Sequence, residues 1–281
     1  MPNAPRNPLV RLLSCLAAVT LTATLLGTPA AYAHIPGIPS VGSRFADRGP
    51  YTVTVSRETA HTYYSPTTLG AGGAHHPVIL WGNGTTASPV IYDALLRHLA
   101  SHGFIVVAAN TPQAGTGREM LAGLDNLTRY NGQPGHRFYG KVDLTRVGAT
   151  GHSQGGGGAI ETGADPRVIT VFPLEPWRGT ATAIHGPALL MAGERDTTVT
   201  PASVRTAYQA LPGPGGYAVL KDATHLTALG NAGGFRFAAT AWARWQLMDD
   251  ANGRAQFVGP GCGLCASSSW QYEVNGAFPT G

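Results

Sequence analysis

The chain is 281 residues long and 43% hydrophobic, and its 19 Lys and Arg against 15 Asp and Glu give a formal net charge of +4. That length and apolar content suffice to bury a sizeable core in one α/β domain. The charge is small and unclustered, with no basic helix, which excludes nucleic acid as a partner.

Residues 1–33 read as a secretory leader. Arg6 and Arg11 supply the positive end, Leu12 to Leu26 the apolar stretch, and Ala31-Tyr32-Ala33 an A-x-A cleavage site. Thr20, Thr22 and Thr24 dilute the apolar stretch below the ~20 residues that a membrane span needs. The expected product is a secreted, monomeric catalytic domain, 34–281, with no membrane anchor. Only Cys262 and Cys265 remain after cleavage. In an exported protein they read as a disulfide. Two cysteines cannot make a four-ligand zinc site and no His-Glu-x-x-His occurs, so the sequence calls for no metal and no other cofactor.

Past a Pro/Gly-rich lead-in, Tyr51 to Val55 alternates as a strand does, and His61 to Tyr64 is its expected hairpin partner, stopped by Pro66. Pro77 to Trp81 is a continuous apolar run, the pattern of a strand buried on both faces. Ser88-Pro89 starts a helix whose apolar face is Ile91, Leu95 and Leu99. Phe104 to Ala108 is the next strand, and Met120, Leu124 and Leu127 mark a second helix. Further strands are expected at Val168–Phe172, Ala188–Met191 and Tyr217–Leu220. Thr200-Pro201 caps a helix carrying Val204, Tyr208 and Leu211. Phe235, Ala238, Trp242 and Trp245 face inward on the last long helix. Strands alternating with helices predict a mainly parallel central sheet flanked by helices.

The chemistry gathers at Gly151-His152-Ser153-Gln154-Gly155. This Gly-x-Ser-x-Gly follows an apolar run and opens a glycine-rich one, the layout of a nucleophile elbow. A serine hydroxyl needs a base, usually histidine, and the base needs a carboxylate to hold its tautomer. In this architecture the acid and then the histidine follow the serine, after later strands. Asp196 lies just beyond the strand ending at Met191 and is the leading acid, with Glu194 and Glu175 as alternatives. Of the two histidines after Ser153, His225 follows the last expected strand, whereas His185 precedes one and belongs at the opposite edge. The oxyanion donors are expected at the backbone N–H of Gln154 and, from the loop after Trp81, that of Asn83. Glu175 to Pro187 is too short for a cap domain, so an open cleft is expected with Trp177 on its rim and Ser153 at its floor.

These residues resemble the bacterial cutinases and polyester hydrolases, the α/β-hydrolase family that includes the poly(ethylene terephthalate) hydrolases. The matching segments are Arg48-Gly49-Pro50-Tyr51-Thr52-Val53, Leu99 to Val106, Tyr139-Gly140-Lys141-Val142-Asp143, Gly151 to Gly158, Glu175-Pro176-Trp177 and the surroundings of Asp196 and His225. The resemblance implies an α/β-hydrolase fold, a Ser153–Asp196–His225 triad, an oxyanion hole at Asn83 and Gln154, and Trp177 lining the acyl pocket. It implies an ester substrate, small or polymeric. Gln154 stands where that family commonly has methionine, and Asn83 where it commonly has an aromatic residue, which predicts a cleft lacking one aromatic wall. The alternatives are acyl-transfer, peptidase or perhydrolase chemistry on the same fold, or a non-catalytic binding protein.

Overall fold

The computed structural model describes residues 1–2 and 35–279. The expected leader, apart from its first two residues, lies outside them. Met1–Ala31 and Tyr32–Gly281 are separate units, and the sheet and its helices belong to the second.

The first two strands, β1 (Val53–Arg57) and β2 (His61–Pro66), form the expected antiparallel hairpin. β1 begins two residues later than the alternation suggested. Pro66 does not stop its strand short but closes it, opposite Val53 of β1 and past Tyr64, the last β2 residue paired with β4. Then come β3 (His76–Gly82), β4 (Ile105–Ala109), β5 (Val142–Gly151), β6 (Val168–Val171), β7 (Ala188–Gly193), β8 (Gly215–Leu220) and β9 (Trp270–Val274). Together they make one nine-stranded sheet in the order β1-β2-β4-β3-β5-β6-β7-β8-β9. Pairings from β4 through β3 to β8 are parallel, and the outer ones antiparallel. This mixed sheet, parallel in its centre, is an α/β-hydrolase sheet.

Five longer helices flank it: α1 (Asp93–Ser101), α2 (Arg118–Asn131), α3 (Gln154–Thr162), α4 (Pro201–Gln209) and α5 (Phe235–Met248). Successive side chains of β3 point to opposite faces, as strand geometry requires. Ile79 and Trp81 join a core with Leu95 and Leu99 of α1 and Trp242 and Trp245 of α5. Val78 and Leu80 join a second core with Met120 of α2, Ile160 of α3 and Val204 of α4. Each buried side chain of leucine or valine size contributes about 2 kcal/mol, so both faces anchor the central strands. The strands' carboxyl ends, where the candidate site lies, are thereby held still.

Two helix assignments shift. Pro89–Tyr92 is a 3-10 turn before α1, and it leaves Ile91 44% exposed instead of on the apolar face. Leu211 falls beyond the end of α4. Between β6 and β7 the only helical piece is the 3-10 turn Ala181–Ala183, so no cap domain is present there. Near the C-terminus come two short helices, α6 (Ala251–Arg254) and α7 (Gly263–Ala266). Cys262 and Cys265 are disulfide-bonded across the start of α7.

Candidate active site

Gly151 ends β5 and Gln154 begins α3, leaving two residues for the reversal between them. Ser153 makes the turn at φ 54°, ψ −120°, a conformation that a non-glycine residue adopts only when its surroundings impose it. Those surroundings are tight. A Cβ on Gly151 would lie 2.5 Å from the Gly155 carbonyl oxygen, and one on Gly155 would run into the backbone of Gly82. Glycine at both flanks lets α3 start directly against β3. The Ser153 N–H donates to Leu174 O at 3.1 Å, and the Ser153 carbonyl accepts from the Trp177 N–H at 2.8 Å.

The structure brings Ser153, His225 and Asp196 together. His225 Nε2 lies 2.9 Å from Ser153 Oγ, and His225 Nδ1 2.7 Å from Asp196 Oδ2. His225 opens a 3-10 turn after β8, held by a capping box in which the side chains of Thr224 and Thr227 bond each other's backbone N–H. Asp196 sits in the turn after β7. Its Oδ1 accepts from the N–H groups of Thr198 at 2.7 Å and Val199 at 2.8 Å, which fixes the carboxylate plane. The side chain of Asp196 is fully buried and that of His225 nearly so. Two of the alternatives lie elsewhere: Glu194 accepts from the Asp222 N–H, and His185 Nε2 contacts Ala164 O away from the elbow, whereas Glu175 Oε2 lies 3.9 Å from His225 Nδ1, farther than Asp196.

Ser153 and His225 line a cavity of about 610 Å³ together with Gln154, Trp177, Ile91 and Leu226. Ser153 is 8% exposed at its floor, while Trp177 and Leu226 stand 44% and 68% exposed at its edge. On its far side Trp177 borders a second groove of about 700 Å³, walled by the segment 176–182 and by α4. Arg178 lies over the Trp177 ring at 5.5 Å.

Gln154 is the first residue of α3, so its N–H has no intrahelical acceptor. Its amide Nε2 donates to Gln113 Oε1 at 3.0 Å. Asn83 is fully buried. Its Oδ1 accepts from Trp81 Nε1 at 3.0 Å and its Nδ2 donates to the carbonyls of Ala109 and Thr111. The Asn83 side chain therefore does not line the cleft. An amide with three such partners is more stable turned inward, and it pins the loop after β3 without facing the cleft.

Beneath Ser153, His225 and Asp196 lies a polar core that the order and spacing of the sequence did not assemble. Tyr92 Oη accepts from the Gly84 N–H at 3.1 Å and lies 2.9 Å from His152 Nδ1. His152 Nε2 in turn lies 3.4 Å from Glu175 Oε2, and His225 Nδ1 lies 3.9 Å from the same oxygen. Burial pushes the His152 imidazole down to about 4, so it is neutral at neutral pH. Burial, then the adjacent Asp196 carboxylate, push Glu175 up to about 8. His152, Glu175 and His225 offer ligand atoms within 4.8 Å of one another. Both ring nitrogens of His225 are already engaged, by Asp196 and Ser153, so the cluster reads as a hydrogen-bonded core and not as a cation cage. The available signal was Glu175 itself, a lone charge in the apolar segment Phe172-Pro173-Leu174-Glu175-Pro176-Trp177.

Residues 28–273 match the family described as PET hydrolase-like. A bis(hydroxyethyl) terephthalate hydrolase of Streptomyces coelicolor is 29% identical, across 98% of this chain and 93% of its own. A cutinase of Thermobifida alba is 26% identical, across 77% of this chain and 76% of its own. A cutinase of Thermobifida fusca is 25% identical, across 80% and 76%. With nearly nine-tenths of its length accounted for in this way, the chain belongs to the PET hydrolase-like family.

Proposed function

We propose that this chain is a secreted serine ester hydrolase working through an acyl-enzyme, with Ser153 as nucleophile, His225 as base and Asp196 as the acid that orients it. As a member of the PET hydrolase-like family it is a carboxylic ester hydrolase. The observation that carries the finer reading is the continuous hydrogen-bond line Ser153 Oγ–His225–Asp196, at 2.9 and 2.7 Å, on a strained elbow.

His225 Nδ1–H donates to Asp196, which leaves Nε2 free to accept the serine proton. As Ser153 Oγ attacks the ester carbonyl, that proton moves to Nε2 and then to the departing alcohol. Water repeats the sequence to release the acid. The oxyanion is assigned to the backbone N–H groups of Gln154 and Asn83, the first of which also gains from the dipole of α3. The open cleft and its exposed Trp177, Ile91 and Leu226 favour esters with an apolar acyl group, and the relatives' names favour terephthalate and cutin-like esters. Residues 1–33 are assigned as a leader removed on export.

Ser153→Ala is expected to lower kcat on p-nitrophenyl butyrate by roughly 10³ or more and to abolish labelling by a fluorophosphonate. Near-normal turnover in that variant would refute the mechanism.

A further inference from the structure

Glu175 has no role in the reaction just described, yet it is the most unusual side chain near it. It is fully buried, and its backbone turns through φ 47°, in the left-handed region that side chains avoid. Neither carboxyl oxygen has a donor within full hydrogen-bond geometry. A Cβ on Gly193 would meet Oε1 at 2.5 Å, so β7 ends in glycine where this carboxyl lies. Its backbone is tied in as well, the N–H donating to Met191 O at 2.8 Å. A buried carboxylate with no donor is costly. A second carboxyl stands beside it, since His225 Nδ1 lies 2.7 Å from Asp196 Oδ2 and 3.9 Å from Glu175 Oε2. Two such neighbours are stable when they share a proton. Asp196 already takes three N–H donors, from Thr198, Val199 and His225. Glu175 takes none of that quality, so the proton belongs on Glu175.

On its other side stands His152. Tyr92 Oη receives the Gly84 N–H, and its own hydrogen is free to donate to His152 Nδ1. His152 then carries its proton on Nε2, which lies 3.4 Å from Glu175 Oε2. Donors and acceptors then run in one direction from the loop after β3 to the acid of the triad: Gly84, Tyr92, His152, Glu175, Asp196.

We propose that Glu175 is a positioning residue, a neutral carboxyl that accepts from His152 and donates to Asp196, and so braces the triad's acid against the loop after β3. The inference rests on the triad reading above. Losing the Glu175 proton would place a second negative charge beside Asp196 and 3.9 Å from His225 Nδ1. That charge repels the Asp196 carboxylate and separates the two carboxyls, so Asp196 loses its brace and activity declines in alkali. The titratable groups facing Glu175 are His152, Asp196 and His225, with Tyr92 behind His152. Burial places the ionisation of Glu175 near pH 8.

The test compares Glu175→Gln and Glu175→Ala with wild type, measuring kcat and KM for p-nitrophenyl butyrate from about pH 6 to about pH 10. Glutamine can donate to Asp196 and accept from His152 but cannot ionise. It should keep kcat within about threefold at neutral pH and lose the alkaline decline. Alanine leaves both partners unbraced and should lower kcat roughly tenfold or more with little change in KM, since Glu175 does not line the cleft. A glutamine variant as slow as alanine, or one that keeps the alkaline decline, overturns the proposal. So does an alanine variant with wild-type kcat. If alanine does not fold, as circular dichroism would report, the glutamine profile decides alone. Failure of the triad reading looks different: wild type would then not be labelled at Ser153 by a fluorophosphonate, whatever stands at 175.

Discussion

Trp177 combines a fixed backbone with a free ring. Its N–H is held by the carbonyl of Ser153, while its indole stands between two grooves and touches none of the reacting atoms. Trp177→Ala is therefore expected to raise KM several-fold while leaving kcat within about threefold. Saturation kinetics on a soluble ester check this, and a loss confined to kcat would contradict it. At the same scale, Ser153, Asp196 and His225 could be read from order and spacing, because each follows a strand whose apolar run is plain. Asn83 could not. Its loop position was evident, but the direction of its side chain depends on Trp81, Ala109 and Thr111, two of them a strand away. The pairing of His152 with Glu175 joins the elbow to the segment after β6, and its one trace in the sequence is the lone charge of Glu175 in an apolar segment.

The elbow couples three elements, and its tolerance is set by backbone instead of side chains. α3 approaches β3 so closely that any Cβ at Gly155 must displace the Gly82 main chain. Gly155→Ala is thus expected to lower the melting temperature by roughly 5 °C or more and to abolish most activity, because Asn83 and Ser153 sit on the two sides of the contact. Thermal unfolding with an ester assay measures both, and an unperturbed variant would mean that the loop after β3 yields freely. The buried strands were legible because both faces are covered and their residues run apolar without a break. β9 was missed, although Trp270, Tyr272 and Val274 alternate. It is a half-exposed edge strand, and its pairing with β8 rests on register with Gly216 to Leu220 some fifty residues earlier. Ile91 fitted a helical spacing but lies in the 3-10 turn, where the period is shorter and carries it out to the cleft.

Across the whole molecule, buried histidines set an acid limit. Burial holds His98 at about 3 and His102 and His152 at about 4, and it lowers His76 as well. In each case the folded value lies below the unfolded one of ~6.5, so the unfolded chain binds more protons as pH falls. The stability these sites share is complete above about 6.5 and drains away between there and about 3. Melting temperature should fall steeply over that window, and a flat profile would mean that these rings take up protons without unfolding.

Arg244 is the deepest cation among the described residues, and it is fully satisfied. Its Nε pairs with Asp250 Oδ2 at 2.6 Å, Nη1 donates to His102 O and Nη2 to Pro39 O, both at 3.1 Å. Ile35, Ile38, Val41 and Phe45 lie in the same core as α5. The lead-in to β1 is therefore a clasp, with the Pro39 carbonyl holding one nitrogen of a guanidinium contributed more than two hundred residues later. This sets a boundary for any proteolytic trimming ahead of β1. A protease acting before Ile35 leaves the clasp whole. One acting past Pro39 would strip a partner from a buried charge and remove Ile35 and Ile38 from the core, turning a harmless trim into a lesion.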